Sequence, residues 1–356
     1  MNIEKISNLV RQNDCDAVLL LNESNMHYAC GFSPSEGAVI IASNGDGYHI
    51  VDSRYTEAAA NHSKDTGLKV IECNGSIIEE IANIQSKNGI NSFLFENETI
   101  SLSTYSKLCK IMPNVTFVNL NNGLMLIRNV KELYEIELID KANKIAEKSF
   151  VELLDEVKVG KTEKELAALF DYLMAKNGSE GVSFDTILLS GECTSMPHGV
   201  PSDRIIQDGD FVLFDFGATK NGYHSDMTRT VAVGHATDEM YMAYNAVKEA
   251  QLAGIKALNA GEACKDVYFA AYNVLEKYNL AQYFKHSLGH GVGLEIHEGF
   301  NASPKSKDVY EIGNVTSIEP GVYIPDKFGV RIEDLLYLSP KGRENFSNIT
   351  KELIIL

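Results

Sequence analysis

Tryptophan is absent from the 356 residues, and basic side chains are scarce: 32 lysines and arginines face 49 aspartates and glutamates, a formal net charge of −17. That balance excludes a nucleic-acid backbone or an anionic membrane as the main partner, since both need a basic surface. No stretch approaches the ~18–20 consecutive apolar residues of a membrane span. The six cysteines, Cys15, Cys30, Cys73, Cys109, Cys193 and Cys264, lie far apart with no C-x-x-C pair. Their spacing argues against a cysteine zinc site or a disulfide framework and for reduced thiols. The opening "MNIEKISNLVRQNDCDAVLLLN" lacks the basic and then apolar segments of a secretory leader and reads as an amphipathic helix running into a strand. The expectation is a soluble, cytoplasmic protein.

What is present is ordinary for a globular chain, 44% hydrophobic and 23% charged, and long enough for two domains. Up to about residue 122, short β-rich runs ("DAVLLL", "GAVIIAS", "GYHIVD", "LKVIEC", "NSFLFE", "VTFVNL") alternate with helical stretches ("RYTEAAANH", "SIIEEIANIQSK", "SLSTYSKLCKI"). This pattern predicts a two- or three-layer α/β domain with a mixed sheet. "NLNNGLM" reads as a polar turn. A long helix follows, with Leu133, Ile136, Ile139, Ala142, Ala146, Phe150 and Leu153 at helical spacing, and opens the second domain. Thr162 and Glu165 predict a capping box on the next helix, ended by Gly178, and two more helices are expected in 237–258 and 263–277. No low-complexity linker and no fixed-period repeat interrupts the chain.

Two apolar strand pairs carry acids. "FVLFDFGA" holds Asp215 and "YHSDMTRT" holds Asp226, and between them Asn221-Gly222 signals a tight hairpin turn. "VTSIEPGVYIP" places Glu319 at the end of an apolar run, and "GVRIEDLLYL" places Glu333 in the middle of another. Like charges buried together repel, so a cation belongs between them. Singly, each acid has a plainer reading: Asp215 pairing with Arg229, Glu319 capping a turn, Asp334 decorating a strand end at the surface. Together, two acidic strand pairs and a histidine suit two divalent ions of the manganese, cobalt or zinc type.

Three of the nine histidines crowd into "HSLGHGVGLEIHEGF": His286, His290 and His297. The alternating glycines are not a dinucleotide fingerprint, and "HEGFN" lacks the second histidine of a zinc helix. Glycines beside His290 let the backbone approach an ion while presenting one imidazole. His198 stands in a loop, "TSMPHGVPSD".

"PHGVPSDRIIQDGDFVLFDFGA", "GYHSDMTRT", "HSLGHGVGLEIHE", "SIEPGVYIP" and "GVRIED" resemble, in order and spacing, the motifs of the creatinase/prolidase/aminopeptidase P family of dimetal peptidases. "HYACGF" and "VDSRYTEAA" look like its N-terminal domain. The resemblance implies an α/β (α+β) fold: a mixed-sheet, creatinase-type domain over residues 1–124, then a pita-bread catalytic domain over 125–356. It implies Asp215, Asp226, His290, Glu319 and Glu333 as ligands of two divalent ions, with manganese ahead of cobalt or zinc. Asp226 and Glu333 would bridge, His290 and Glu319 would hold one ion, and Asp215 the other. It places His198 and His297 against substrate and developing oxyanion, His286 and Arg331 nearer the proline side, and Thr228 as a hydroxyl behind the ligands.

The activity implied is hydrolysis of the bond between a first residue and a following proline, by a hydroxide shared between the ions, with Glu319 carrying its proton. "GFSPSEGAVI" and "DSRYTEAA" look more like an aminopeptidase than a dipeptidase, although Pro34 and Glu36 depart from the small residues expected there. Peptides with proline at the second position are the expected partners, and a homodimer the expected assembly. A methionine aminopeptidase would lack so large an N-terminal domain. A creatine-type amidinohydrolase or a non-catalytic binding module would lack ligands that stand intact here.

Overall fold

Short runs of β-branched and aromatic residues separated by turn residues form strands where both faces find cover. A computed structural model of the chain describes residues 2–64 and 66–356, which divide into two compact units, Met1–Arg128 and Asn129–Leu356. In the first unit all six expected strands form: β1 (Ala17–Leu20), β2 (Gly37–Ala42), β3 (Gly47–Asp52), β4 (Lys69–Cys73), β5 (Ser92–Phe95) and β6 (Thr116–Asn119). They make one mixed sheet in the order β4-β3-β2-β1-β5-β6, with β1 antiparallel to β2 and parallel to β5. Every residue of β1 is buried. Ala17 and Leu19 cluster with Ile81, Ile84 and Leu108, from the helices Ile77–Asn88 and Leu102–Ile111. Helix Ile3–Gln12, whose Ile6 and Val10 are buried, packs on β1 and β2. The domain therefore has three layers.

Two of its helices escape the sequence pattern. Glu23–Cys30 is only eight residues long, too short to display a stripe, although Asn22 caps it by accepting from the Asn25 N–H and Gly31 ends it at φ 71°. "NLNNGLM" turns only at Asn121 and Asn122, with Asn121 at φ 50°; Gly123–Asn129 is helical and buries Leu124.

The second unit holds β7 (Ile187–Ser190), β8 (Phe211–Phe216), β9 (Thr219–Lys220), β10 (Tyr223–His224), β11 (Met227–Ala232), β12 (Gly289–Gly291), β13 (Glu298–Ala302), β14 (Val315–Ile318), β15 (Gly321–Ile324), β16 (Phe328–Arg331), β17 (Asp334–Ser339) and β18 (Gly342–Asn345). Two antiparallel sheets result, β11-β8-β7 and β13-β12-β14-β17-β18, with the ribbons β9-β10 and β15-β16 beside them. Helices Leu133–Leu154 and Glu163–Lys176 cover the first sheet, and Phe150, Phe170, Phe214 and Phe216 interlock between them. Asp238–Ala257 and Cys264–Lys277 contribute Ala250, Val267 and Ala271 to a core shared with Ile318, Val330 and Leu336. The capping box on Glu163–Lys176 is present. On the long helix the apolar stripe begins later than the spacing predicts, because Leu133 is 72% exposed.

Two expectations about acids are overturned. "GVRIEDLLYL" is not one strand: β16 and β17 belong to different sheets, and Glu333 sits in the break between them. Its N–H leaves the ladder to donate to the Thr228 carbonyl at 3.1 Å. Asp334 is no surface decoration but wholly buried. It accepts from Arg229 (2.8 Å), Gln251 (3.1 Å) and Asn345 (2.8 Å), so Arg229 is engaged with Asp334 rather than with Asp215.

Candidate active site and metal centre

The hairpin predicted at Asn221-Gly222 forms, with φ of 48° and 76° closing the β9-β10 ribbon. It returns the chain so that β8 and β11 pair with Asp215 opposite Thr228, and Asp226 one residue before β11. Across the gap, Ile318 pairs with Asp334, which sets Glu319 and Glu333 side by side just past the last rung of β14 and β17. Backbone bonds from Glu333 to Thr228 and from Glu319 to the Leu288 carbonyl (2.8 Å) draw the acidic strand ends together with β12, which carries His290.

His198, Asp215, Asp226, His286, His290, His297, Glu319, Arg331 and Glu333 all line one cavity of about 760 Å³. Asp226, His290 and Glu333 are buried, Asp215 and Glu319 partly so, and His198 and His297 are exposed within it. Nδ1 of His290 lies 3.1 Å from the Gly291 carbonyl, which assigns the ring proton to that nitrogen. The bare Nε2 then faces Asp226 Oδ2 at 3.5 Å and Glu319 Oε1 at 3.4 Å. Burial, reinforced by His297, pushes the His290 pKa down to about 3, so the ring is a neutral acceptor facing two carboxyl groups.

The carboxyls respond in the opposite sense. Burial first, then the charge of neighbouring carboxylates (Glu333 foremost for Asp226, Glu319 foremost for Glu333), lifts both well above the usual carboxylate range. Burial pushes Glu319 up to about 8, with Asp215 adding and Arg331 opposing. Asp226 Oδ1 and Glu333 Oε1 are buried without any hydrogen-bond partner, a costly condition unless a cation completes them. Atoms of Asp226, His290 and Glu333 converge within 4.8 Å. Hard oxygens with one neutral imidazole fit divalent cations of the manganese, cobalt or zinc type.

Neighbouring side chains hold these donors. Ser317 accepts from the His290 N–H (3.1 Å) and donates to Glu319 (3.2 Å). Thr228 donates to Glu333 Oε2 at 2.7 Å. The Arg331 guanidinium reaches three partners: Asp215, Thr228 at 3.0 Å and the Tyr323 hydroxyl at 2.6 Å. His286 has both nitrogens engaged, with the Ser287 carbonyl (2.7 Å) and the Tyr323 hydroxyl (3.0 Å). Its pKa is pushed down to about 3 by burial and Arg331. His297 packs 4.1 Å from His290, ring to ring, and its neighbour Glu298 is buried against Lys131.

Tyr323 and Ser317 were not singled out from the sequence. Tyr323 stands two residues past Gly321 in "SIEPGVYIP", and a Cβ at Gly321 would meet its hydroxyl. That alternation was the available signal. The glycines beside His290 also serve packing. A Cβ at Gly289 would fall on the Ser317 carbonyl and one at Gly291 on the Glu298 carbonyl. Their absence of side chains lets the neighbouring strand backbones close on β12.

Metal-dependent hydrolysis is the chemistry that such a donor set serves. Residues 137–340 match the description Metallopeptidase family M24, and residues 2–130 the Creatinase/Prolidase N-terminal domain. The chain belongs to metallopeptidase family M24, and is a hydrolase with a mixed-sheet N-terminal domain followed by the pita-bread domain. A curated relative, the Xaa-Pro dipeptidase of Pyrococcus furiosus, is 36% identical over 99% of both chains. Among solved structures, an Xaa-Pro dipeptidase from Bacillus anthracis is 35% identical with a TM-score of 0.95, over 100% of this chain and 99% of that one. An X-Pro aminopeptidase from Thermotoga maritima MSB8 is 34% identical with a TM-score of 0.92, over 98% and 100%. No helix among the described residues is long and apolar enough to cross a membrane.

Proposed function

We propose that this enzyme is an Xaa-Pro aminopeptidase, releasing the first residue from peptides with proline at the second position. Asp215, Asp226, His290, Glu319 and Glu333 would hold two divalent ions, manganese foremost. The observation carrying the metal reading is the bare His290 Nε2 turned toward carboxylates, beside two orphaned buried oxygens. The proline reading is supported by the similarity to two Xaa-Pro dipeptidases and an X-Pro aminopeptidase. When bound, the ions supply Lewis acidity and lower the pKa of a water toward ~7.

The chain's own groups account for the rest. An Xaa-Pro bond is a tertiary amide, so its nitrogen must gain a proton to leave. Glu319, held by the Ser317 hydroxyl at 3.2 Å, can take a proton from water and deliver it there. Desolvation within the cavity lowers the His297 pKa, with Asp215 opposing, and with His198 the ring would donate to the oxyanion. His286 and Arg331, joined through Tyr323, would shape the wall on the proline side. Six free cysteines are consistent with a cytoplasmic setting, which is part of this reading. A homodimer is part of it too, carried by the family resemblance.

The relatives named Xaa-Pro dipeptidase favour a second reading, in which only the dipeptide is cut. Chelator-stripped protein assayed on Ala-Pro and Ala-Pro-Ala, with and without manganese, separates the two. Metal-dependent cleavage of the tripeptide supports the aminopeptidase. Cleavage of the dipeptide alone moves the assignment to dipeptidase, and silence on both with several metals sinks the proline claim. His198→Ala is expected to slow turnover by ~10²-fold, as loss of an oxyanion donor does, with metal content unchanged. Loss of bound metal in that variant would make His198 a ligand instead.

A further inference from the structure

His198 sits near the exposed tip of the segment between β7 and Ile205, in a connection whose only regular structure is the 3₁₀ turn Gly191–Ser195. A group aimed at a reacting centre from such a loop loses rate if the loop wanders, on the order of 10²-fold for a 1 Å misplacement. One buried side chain bonds both ends of this loop at its neck. Glu163, the first residue of helix Glu163–Lys176, is wholly buried. Its Oε1 accepts from the Ser190 N–H (2.7 Å) and hydroxyl (2.9 Å). Its Oε2 accepts from the Ser202 N–H (2.9 Å) and hydroxyl (2.7 Å).

One carboxylate thus joins the two ends of the loop, each oxygen accepting twice, which an ionised carboxylate can do and an amide cannot. The start of a helix is where a buried negative charge is best tolerated. Arg204 ties the same neck a second time: it donates to the Ser190 hydroxyl (2.8 Å) and Asp210 (2.6 Å) on one side and to Glu192 (2.7 Å) on the other. Midway, the Gly329 N–H donates to Thr194 Oγ1 at 2.7 Å, fixing the turn to β16, the strand that ends at Arg331.

We propose that Glu163 is a positioning residue for His198, acting by clasping Ser190 and Ser202; this rests on the reading of His198 as a substrate-facing group. A satisfied acid of purely structural value would cost stability, and its loss would multiply with that of His198. A positioning residue loses its effect once His198 is gone.

The test is a double-mutant cycle in manganese-loaded enzyme, on whichever of the two peptides the wild type cleaves, together with hydrogen exchange in the metal-free protein. Glu163→Gln presents an amide N–H₂ to one serine and should lower kcat roughly 10–100-fold, with KM and metal content little changed. Glu163→Gln/His198→Ala should fall within about threefold of His198→Ala alone. Amides of residues 190–204 should exchange faster in Glu163→Gln while β8 and β11 stay protected. An equal loss from Glu163→Gln in both backgrounds, or unchanged exchange over 190–204, overturns the clasp. If Glu163→Gln does not fold, Ser202→Ala removes one hydroxyl and repeats the cycle with a smaller loss. A His198→Ala enzyme of full activity sinks both His198's role and this inference. A wild type inactive on both peptides sinks the proline reading alone, and hydrogen exchange then decides the clasp.

Discussion

Glu319→Gln should cost about 10⁴-fold in turnover, the upper end of what positioned acid–base groups contribute, because the same carboxylate is also a proposed ligand. The substitution is nearly isosteric and leaves the Glu319 N–H on the Leu288 carbonyl and the Ser317 hydroxyl in place. The fold should therefore remain cooperative. In chelator-stripped protein the variant should even be the more stable form near pH 8. The wild-type carboxyl, pushed up to about 8 by burial, must ionise there in a site that disfavours charge, and the amide need not. Kinetics of the metal-loaded variant and thermal melts of the stripped one check both halves. Activity within tenfold of wild type would remove Glu319 from the chemistry.

Stripped wild-type protein should lose stability as pH rises from 6.5 to 8, and bound manganese should reverse that slope. Glu319, Asp226 and Glu333 all have folded pKa values above their unfolded ones. Over this window the folded state holds protons that the unfolded state has already shed, so stability falls with pH. His286 and His290, pushed down to about 3, act in the opposite sense, as do His49, His224 and His297, whose pKa values burial also lowers. Their effect lies mainly below about pH 6.5 and fades by about pH 7.5, where the unfolded imidazoles have shed their protons, so the carboxyls dominate the window. Glu319 by itself accounts for about 2 kcal/mol across the window. Metal ligands must be deprotonated, so binding strengthens as pH rises, and ion at 100 times its Kd adds about 2.7 kcal/mol. Denaturant unfolding at both pH values, with chelator and with manganese, measures the two slopes. A stripped protein that gains stability over this window contradicts the carboxylate crowding.

Much of this was legible before any coordinates. The six strands of the first unit show in their β-branched runs, and the hairpin joining Asp215 to Asp226 shows in Asn221-Gly222, because both are local effects. The order of the five motifs carried the membership of the site. The break at Glu333 was not legible: "GVRIEDLLYL" reads as one apolar run, and what interrupts it is the Thr228 carbonyl, more than a hundred residues earlier in the chain. Asp334 looked like a surface acid because Arg229 and Gln251 approach it from distant segments, joined by Asn345 from the neighbouring strand β18. The packing role of the glycines around His290 did not show, because the strands that crowd them, through Ser317 and Glu298, have no signature near residue 290. Tyr323 was hidden within a recognised motif, since its hydroxyl matters only once β15 and β16 pair and bring Arg331 to it.

Counting bound metal tests most directly whether Asp215, Asp226, His290, Glu319 and Glu333 hold two ions. Protein stripped with chelator, equilibrated with manganese and freed of excess should carry two ions per chain by elemental analysis. Asp226→Asn, folded by circular dichroism, should carry close to none, since Asp226 is assigned to both ions. A single ion in the wild type, or two retained by the variant, would contradict the dimetal centre.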